Sequence, residues 1–376
     1  MMASRLSKVA VVVLVAALVV SLGHRAGGST RPGPTLPEGM NAKTAKAVER
    51  GLRWLANNQR ANGSWLNTGG GYGGSYPAAM TSLAGVALLA GGSTPEAGPY
   101  ARNVQRALEY TLSVAEDHDD GLIVGPGGES RSMYGHGFSL LFLAQCYGME
   151  NSPEREKRLK RVLDKAVKLT VTSQSKVRTK FPKPYDEAGG WIYTPTSRGD
   201  EGSVTITQLQ ALRACRNAGI EVPEKTIIKA VAYLRHCQNA DGGISYAASS
   251  RGNSRPAISA AAVACFYAAG VYDRQAGGAG PEAKMVEKLV AYVKRTNQPE
   301  QNSGHWFYSQ YYMAEAMYTR GGADWKKYYP RIRDRLLALQ FPDGSWQGDS
   351  VGTVYGTALA TTILQLPYGY LPIVER

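Results

Sequence analysis

Proton transfer requires side chains that can change charge and that stand where a reacting atom can approach them. In this 376-residue chain Asp200, Glu201 and His136 fall on segments entering apolar helical runs, and they are the candidate catalytic residues. The equivalent segments elsewhere carry Tyr76, Arg131, Tyr134, Tyr193, Tyr246, Tyr308 and Tyr355, a candidate ligand-binding rim. Helix starts present free N–H groups and a partial positive charge, so such a rim is expected to favour an anionic ligand group. Nucleophilic and metal chemistry find less support. Cys146, Cys215, Cys237 and Cys265 are widely spaced, with no C-x-x-C and no Cys/His cluster, so no metal site and no cofactor are expected. The thiols read as small buried apolar groups, with a single disulfide among them as the alternative. Glu315, inside the apolar stretch Tyr311–Met317, reads as a carboxylate bonded to a nearby Tyr or Arg.

The elements that position these residues repeat. Six turns, at 59–65, 117–123, 187–193, 238–246, 302–308 and 340–346, contain Gly, often with Gln, Asn or Asp, and end on an aromatic or apolar residue. Over residues 43–376 this gives units of about 56 residues, each a helix, a turn and a second helix. First helices carry one apolar stripe: Leu159, Val162, Leu163, Ala166 and Val167 alternate with Arg158, Lys160, Arg161 and Lys165. Second helices are apolar all round, as in Phe138–Cys146 and Ala257–Ala269, and must be buried on both sides. The expected architecture is therefore all-α: an (α/α)6 toroid, six inner helices enclosed by six outer ones and closed on itself. Gln59, Gln238 and Gln340 stand where an amide can satisfy helix-terminal groups, and Trp65, Trp191, Trp306 and Trp346 read as flat staples between units.

The segments Gln59…Gly63-Ser64-Trp65 and Gln340…Asp343-Gly344-Ser345-Trp346 resemble the Q-x-x-x-G-x-W repeats of squalene and hopene cyclases and of protein prenyltransferase β subunits. Gly189-Gly190-Trp191 and Asp241-Gly242-Gly243-Ile244 are degenerate copies, and the whole chain resembles exported bacterial prenyltransferase/squalene oxidase repeat proteins. The resemblance implies an aromatic-lined central cavity that receives an isoprenoid. Cyclases of this kind protonate an alkene with a D-x-D-D motif at the start of an inner helix. Here Asp117-His118-Asp119-Asp120 matches in letters but ends an outer helix and supplies a repeat turn, where Asp119 or Asp120 has a capping role. Laid on the inner helix through Leu209–Leu212, the motif falls on Glu201-Gly202-Ser203-Val204, and one carboxylate survives. The D-x-C zinc pair of the prenyltransferases does not occur.

Composition bounds the rest. The chain carries 43 Lys+Arg against 30 Asp+Glu, a formal charge of +13, which suits acidic partners. Between 154 and 183 there are 11 Lys/Arg and three Asp/Glu, a solvated face or a docking face for anionic lipid or glycan. Nothing resembles a nucleic-acid fold, and a monomer is expected. Arg5 and Lys8 precede an apolar run, Val9–Leu22, that reads as a secretory signal or a retained membrane anchor over residues 1–23. A Gly/Pro-rich linker follows over 24–42, ahead of the toroid at 43–376, and Gly69–Gly74 reads as a flexible rim. Export to the periplasm or medium is expected. Three functions stay open: a toroid that binds a hydrophobic, isoprenoid-like ligand or a partner, a diverged terpenoid cyclase or isomerase using an acid near Glu201, and a lyase-like toroid acting on polysaccharide.

Overall fold

A computed structural model describes residues 36–67, 75–176, 189–268, 281–302 and 304–374. The apolar run Val9–Leu22, the Gly69–Gly74 stretch and residues 177–183 of the basic segment lie outside the described residues. Six helix pairs follow one another: α1 (Ala42–Asn57) and α2 (Pro77–Ala90), α3 (Ala101–Glu116) and α4 (Ser132–Cys146), α5 (Pro153–Thr172) and α6 (Gly202–Asn217). Then come α7 (Glu224–His236) and α8 (Pro256–Ala268), α9 (Pro281–Thr296) and α10 (Trp306–Arg320), α11 (Gly322–Leu339) and α12 (Thr353–Gln365).

Apolar patterning assigns each helix its layer. In α1, Ala47, Val48, Gly51, Leu52 and Leu55 are buried and the opposite face is wet, whereas every residue of α2 is buried. Burying each Val or Leu contributes about 1.5–3 kcal/mol, so a helix that is apolar all round belongs inside a ring. The even-numbered helices form that ring, each packed on the next, with α12 returning to α2. Gln365 of α12 donates to the Ala87 carbonyl of α2 at 3.1 Å, tying the seam.

The turns between paired helices share one construction. The Trp65, Trp191 and Trp346 indoles are fully buried and donate to the carbonyls of Leu55, Thr170 and Leu336 near the end of the preceding outer helix. Their backbone N–H groups donate to Thr81, Thr205 and Thr357, the fourth or fifth residue of the inner helix. Gln59, Gln238 and Gln340 each bridge the turn glycine's carbonyl and a carbonyl of the next outer helix. Trp306 departs from this pattern. It is the first residue of α10, and its indole donates to Pro299.

Glycine is required where a turn meets the next outer helix. Gly63, Gly121, Gly189, Gly242 and Gly344 all have positive φ, and a Cβ on each would strike the carbonyl of Arg106, Lys165, Lys229, Lys288 and Arg50 respectively. All five contact residues are basic. Arg50 returns two bonds to the last turn, at Phe341 and Pro342, so part of the chain's positive charge follows the repeat and joins the last unit to the first.

At the end where the inner helices finish, the segment Pro372–Val374 packs on α6 and α10, and the Ile373 N–H donates to Gln145 Oε1 at 3.2 Å. The axis itself is filled from α10. Tyr312 is buried within electrostatic reach of Thr207 on α6, Cys265 on α8 and Tyr355 on α12, and its ring meets Tyr311 edge-on at 5.0 Å. Glu315, 4% exposed, accepts from Gln210 across the axis at 3.0 Å and from Tyr311, the Tyr partner expected for it. Burial pushes its carboxyl up to about 7 against those two hydrogen bonds. All four cysteines are buried and free.

Two outcomes follow from this packing. Gly344, at φ +99°, and Gly148, at φ +83°, share a left-handed backbone, but no atom lies within 4 Å of a Cβ built at Gly148. Gly344→Ala and Gly148→Ala should each cost about 1–2 kcal/mol for the backbone alone, and Gly344→Ala should cost measurably more in denaturant unfolding. Equal losses would show that the seam does not grip Gly344. For Glu315 the folded carboxyl holds its proton to a higher pH than the unfolded one, so its contribution is complete below about pH 4.5 and is lost as pH rises towards 7. Glu315→Gln should remove a stability drop on the order of 3 kcal/mol between those limits, read from unfolding free energy against pH.

Candidate functional site

Most of the rim residues predicted from sequence gather around Glu201 at the end where the inner helices begin, the mouth of the ring. Glu201 is the N-cap of α6. Its carboxylate accepts from the Val204 N–H at 2.7 Å and from Ser203 Oγ at 2.7 and 2.8 Å. Tyr134 of α4 reaches the same carboxylate at 3.4 Å and Ser203 at 2.5 Å, while Tyr246 bonds it from the loop before α8. Tyr193 hydrogen-bonds Tyr246, and the Arg131 guanidinium lies 4.6 Å from the Tyr193 ring centre. Burial raises the Glu201 pKa, opposed by its bonds to Ser203, Val204 and Tyr246.

Tyr308 completes the group from α10. Its hydroxyl is buried and has no hydrogen-bond partner. The neighbours that act on it electrostatically are Tyr312 below, Tyr134, Glu201 and Tyr355. Burial pushes its pKa well up, so it stays a neutral phenol. Tyr76 sits apart, on the α2 side, where its hydroxyl pairs with Ser130 at 3.0 Å and its own φ is +39°.

The N–H groups expected to await an anion are in part already occupied. Asp349 accepts from Phe307 at 3.1 Å and also from the Trp306 and Tyr308 N–H groups, capping α10 from the loop before α12. Glu129 accepts from Ala78 at 3.4 Å and from Gly125, capping α2 from the next unit, and burial pushes it up to about 7. With Glu201 on α6, three of the six inner-helix starts are held by the chain's own carboxyls. The expected affinity for an anionic group is corrected at α2, α6 and α10, because a carboxylate already satisfies the donors that a ligand would use.

The other two candidate acids are tied into the scaffold. Asp200 Oδ1 accepts from Tyr233 at 3.0 Å, from Ala248 N–H at 2.7 Å and from Ser249 N–H at 3.3 Å, which fixes the loop leading to α8. His136 is fully buried. Its Nδ1 accepts from Ile123 N–H at 3.2 Å, and Nε2 pairs with Thr170 at 2.9 Å. Burial pulls its pKa down to about 4, which leaves the ring neutral. Ile123 ends the second turn as Trp65 ends the first, so His136 occupies the place that Thr81, Thr205 and Thr357 hold in other units.

In Asp117-His118-Asp119-Asp120, Asp120 accepts from Leu122 N–H at 3.0 Å. Asp241 and Asp343 do the same two residues ahead of themselves in later turns. The three aspartates are exposed, in keeping with the turn reading.

Sequence reasoning missed three residues. Glu129 and Asp349 cap helices that lie far away in the chain, and no local pattern marks them. Gln174 is the turn glutamine of the third unit, bonding Gly189 and Thr226 at 2.8 and 3.0 Å. Fourteen intervening residues, 175–188, hide its relation to Gly189, but the Gln-to-Gly spacing of the other turns could have prompted a search upstream.

The basic segment is less available than its composition implies. On α5, Arg155 pairs with Glu96 and Glu150, Arg158 with Glu109 and Glu116, and Lys160 with Asp164. Among the described residues no group of three or more His, Cys, Asp or Glu is arranged to hold a metal ion. No helix among them is long and apolar enough to cross a membrane.

No family model matches the sequence, and no curated protein matches it. Solved structures do match in fold. A variant of the type II terpene cyclase MstE from Scytonema, in complex with geranylgeranyl dihydroxybenzoate, is 15% identical with a TM-score of 0.53, over 88% of this chain and 98% of its own. An inactive variant of an α-1,6-mannanase of Salegentibacter sp., in complex with α-1,6-mannotetraose, is 10% identical with a TM-score of 0.62, over 88% and 99%. At such identities the likeness is one of fold, and the chain is an all-helical α/α toroid of the architecture that both proteins share.

Proposed function

We propose that this chain is an exported toroid that binds a hydrophobic, isoprenoid-like molecule at its mouth and performs neither alkene protonation by a D-x-D-D acid nor zinc-dependent prenyl transfer. The observation that carries this reading is the Tyr308 hydroxyl, buried without a partner beside Tyr134, Glu201 and Tyr355. Folded proteins rarely leave such a group unpaired, and a bound molecule would supply the missing partner. The surrounding tyrosine rings offer apolar faces with polar edges, which suits a molecule that is mostly hydrocarbon. That Asp200 and His136 are already engaged in scaffold bonds favours binding over proton transfer. The fold shared with a terpene cyclase seen with a geranylgeranyl compound is in keeping with an isoprenoid.

A glycan reading rests on a different observation. Tyr246 is 40% exposed and paired with Tyr193, a broad aromatic surface on which a sugar ring can stack, and the mannanase complex shares the fold. A diverged cyclase would have to draw its proton from Glu201, whose pKa is raised.

Solvent extraction and mass spectrometry of the purified full chain, against an unrelated protein from the same membrane-bearing host, should show an enriched polyprenyl or triterpenoid lipid. Incubation with squalene should yield no new product from the wild type or from Glu201→Gln. A product formed by the wild type and lost in Glu201→Gln would replace the binding reading with the cyclase reading. No enriched lipid would move the assignment to glycan.

A further inference from the structure

Equivalent places can be compared around the ring. The residues whose carbonyls face the turn glycines are Arg50, Arg106, Lys165, Lys229 and Lys288. One helical turn further along stand Trp54, Tyr110, Leu169, Tyr233 and Tyr292. The last four are buried. Trp54, the largest of the five, is only half-buried, and it lines a groove of about 420 Å³ between α1 and the last turn. Ligand sites usually measure about 300–1,000 Å³, so the place that is closed in four units is roomy enough at the seam to admit a molecule.

The groove's side chains are held from behind. The Trp54 indole N–H donates to Asp343 Oδ2 at 3.1 Å, the Arg50 guanidinium to the carbonyls of Phe341 and Pro342 at 2.7 and 2.8 Å, and the Asn58 amide to the Trp54 carbonyl at 2.8 Å. Side chains ordered in advance lose less freedom when a ligand arrives. Three cations, Lys46, Arg50 and Arg53, face two carboxylates, Glu49 and Asp343. Both carboxylates are engaged, Glu49 by Arg53 and Asp343 by Trp54 and by the Ser345 N–H and hydroxyl. Arg50 is bonded to neutral carbonyls, which leave its charge uncompensated. Lys46 and Asn57 are exposed and have no side-chain partner among the described residues.

We propose that this groove on the outer wall binds an acidic oligosaccharide. A pyranose ring has C–H groups on its faces and hydroxyls around its edge, which suits an indole flanked by the Asn57 and Asn58 amides. Its carboxylate lies towards Lys46 and Arg50, where the excess positive charge is. Trp54 belongs to the first unit and Asp343 to the last, so closure of the ring creates the site. It stands whatever the mouth holds.

Isothermal titration of the full chain with tetramers of galacturonate, mannuronate and hyaluronan, beside neutral α-1,6-mannotetraose, tests this. At least one acidic tetramer should bind more tightly than mannotetraose, and more weakly as salt rises. Its affinity should fall about tenfold in Trp54→Ala and about threefold in Lys46→Ala. Lys46→Ala breaks no bond within the fold, so its melting temperature should match the wild type, and it carries the test should Trp54→Ala unfold. Binding of no acidic tetramer, equal binding of mannotetraose, or an affinity unchanged in Lys46→Ala would overturn the proposal. Binding kept in Trp54→Ala but lost in Tyr246→Ala would overturn it too, by placing the sugar at the mouth.

Discussion

Six inner helices with no face towards water impose the constraint on which everything else in this structure depends. An inner helix such as α2, buried at every residue, cannot leave its first N–H groups to solvent, and an unpaired buried donor costs about 1–3 kcal/mol. The chain meets this demand with carboxyls brought from other units, Glu129 to α2 and Asp349 to α10, and with the N-cap Glu201 on α6. Buried and half-buried acids therefore appear at the mouth for a structural reason before any question of chemistry arises.

That reason also explains why the candidate catalytic residues were easy to find and hard to interpret. A carboxylate at an inner-helix start has the same address whether it caps the helix or delivers a proton. Glu201 and Asp200 stand next to each other in sequence, yet one turns towards the tyrosines of the mouth and the other into the loop before α8. His136 is a still plainer case, since it replaces a threonine that elsewhere accepts the backbone N–H of the turn. A substitution at a repeat position looks like a functional signal until the repeat is aligned in space.

The fold was legible because it is written in short-range patterns. Stripe helices alternate with wholly apolar ones, and Gln59…Trp65 and Gln340…Trp346 mark where one gives way to the other. The candidate site was legible only as a set of segments: Tyr134, Tyr193, Tyr246 and Tyr308 were placed on the rim. Their convergence on Glu201, and the separation of Tyr76 from it, depend on the order of helices around the ring. Glu129, Gln174 and Asp349 stayed hidden because each acts on a residue distant in the chain or displaced by an insertion. The axis, where the resemblance implied an aromatic-lined cavity, holds Tyr311, Tyr312 and the Glu315–Gln210 bond, because α10 carries large polar-edged rings where α2 and α8 carry small residues.

The seam between α12, α11 and α1 carries a consequence of its own. An open row of repeats has two terminal units with a single neighbour each, and such rows lose order from the ends inward. Here Gly344 rests on the backbone of Arg50, and Gln340 bonds the Ala47 carbonyl, so the first and last units have as many neighbours as the middle ones. The toroid has no terminal repeat at which fraying can begin. Its units should melt together, as the staves of a barrel fall only when a hoop gives way.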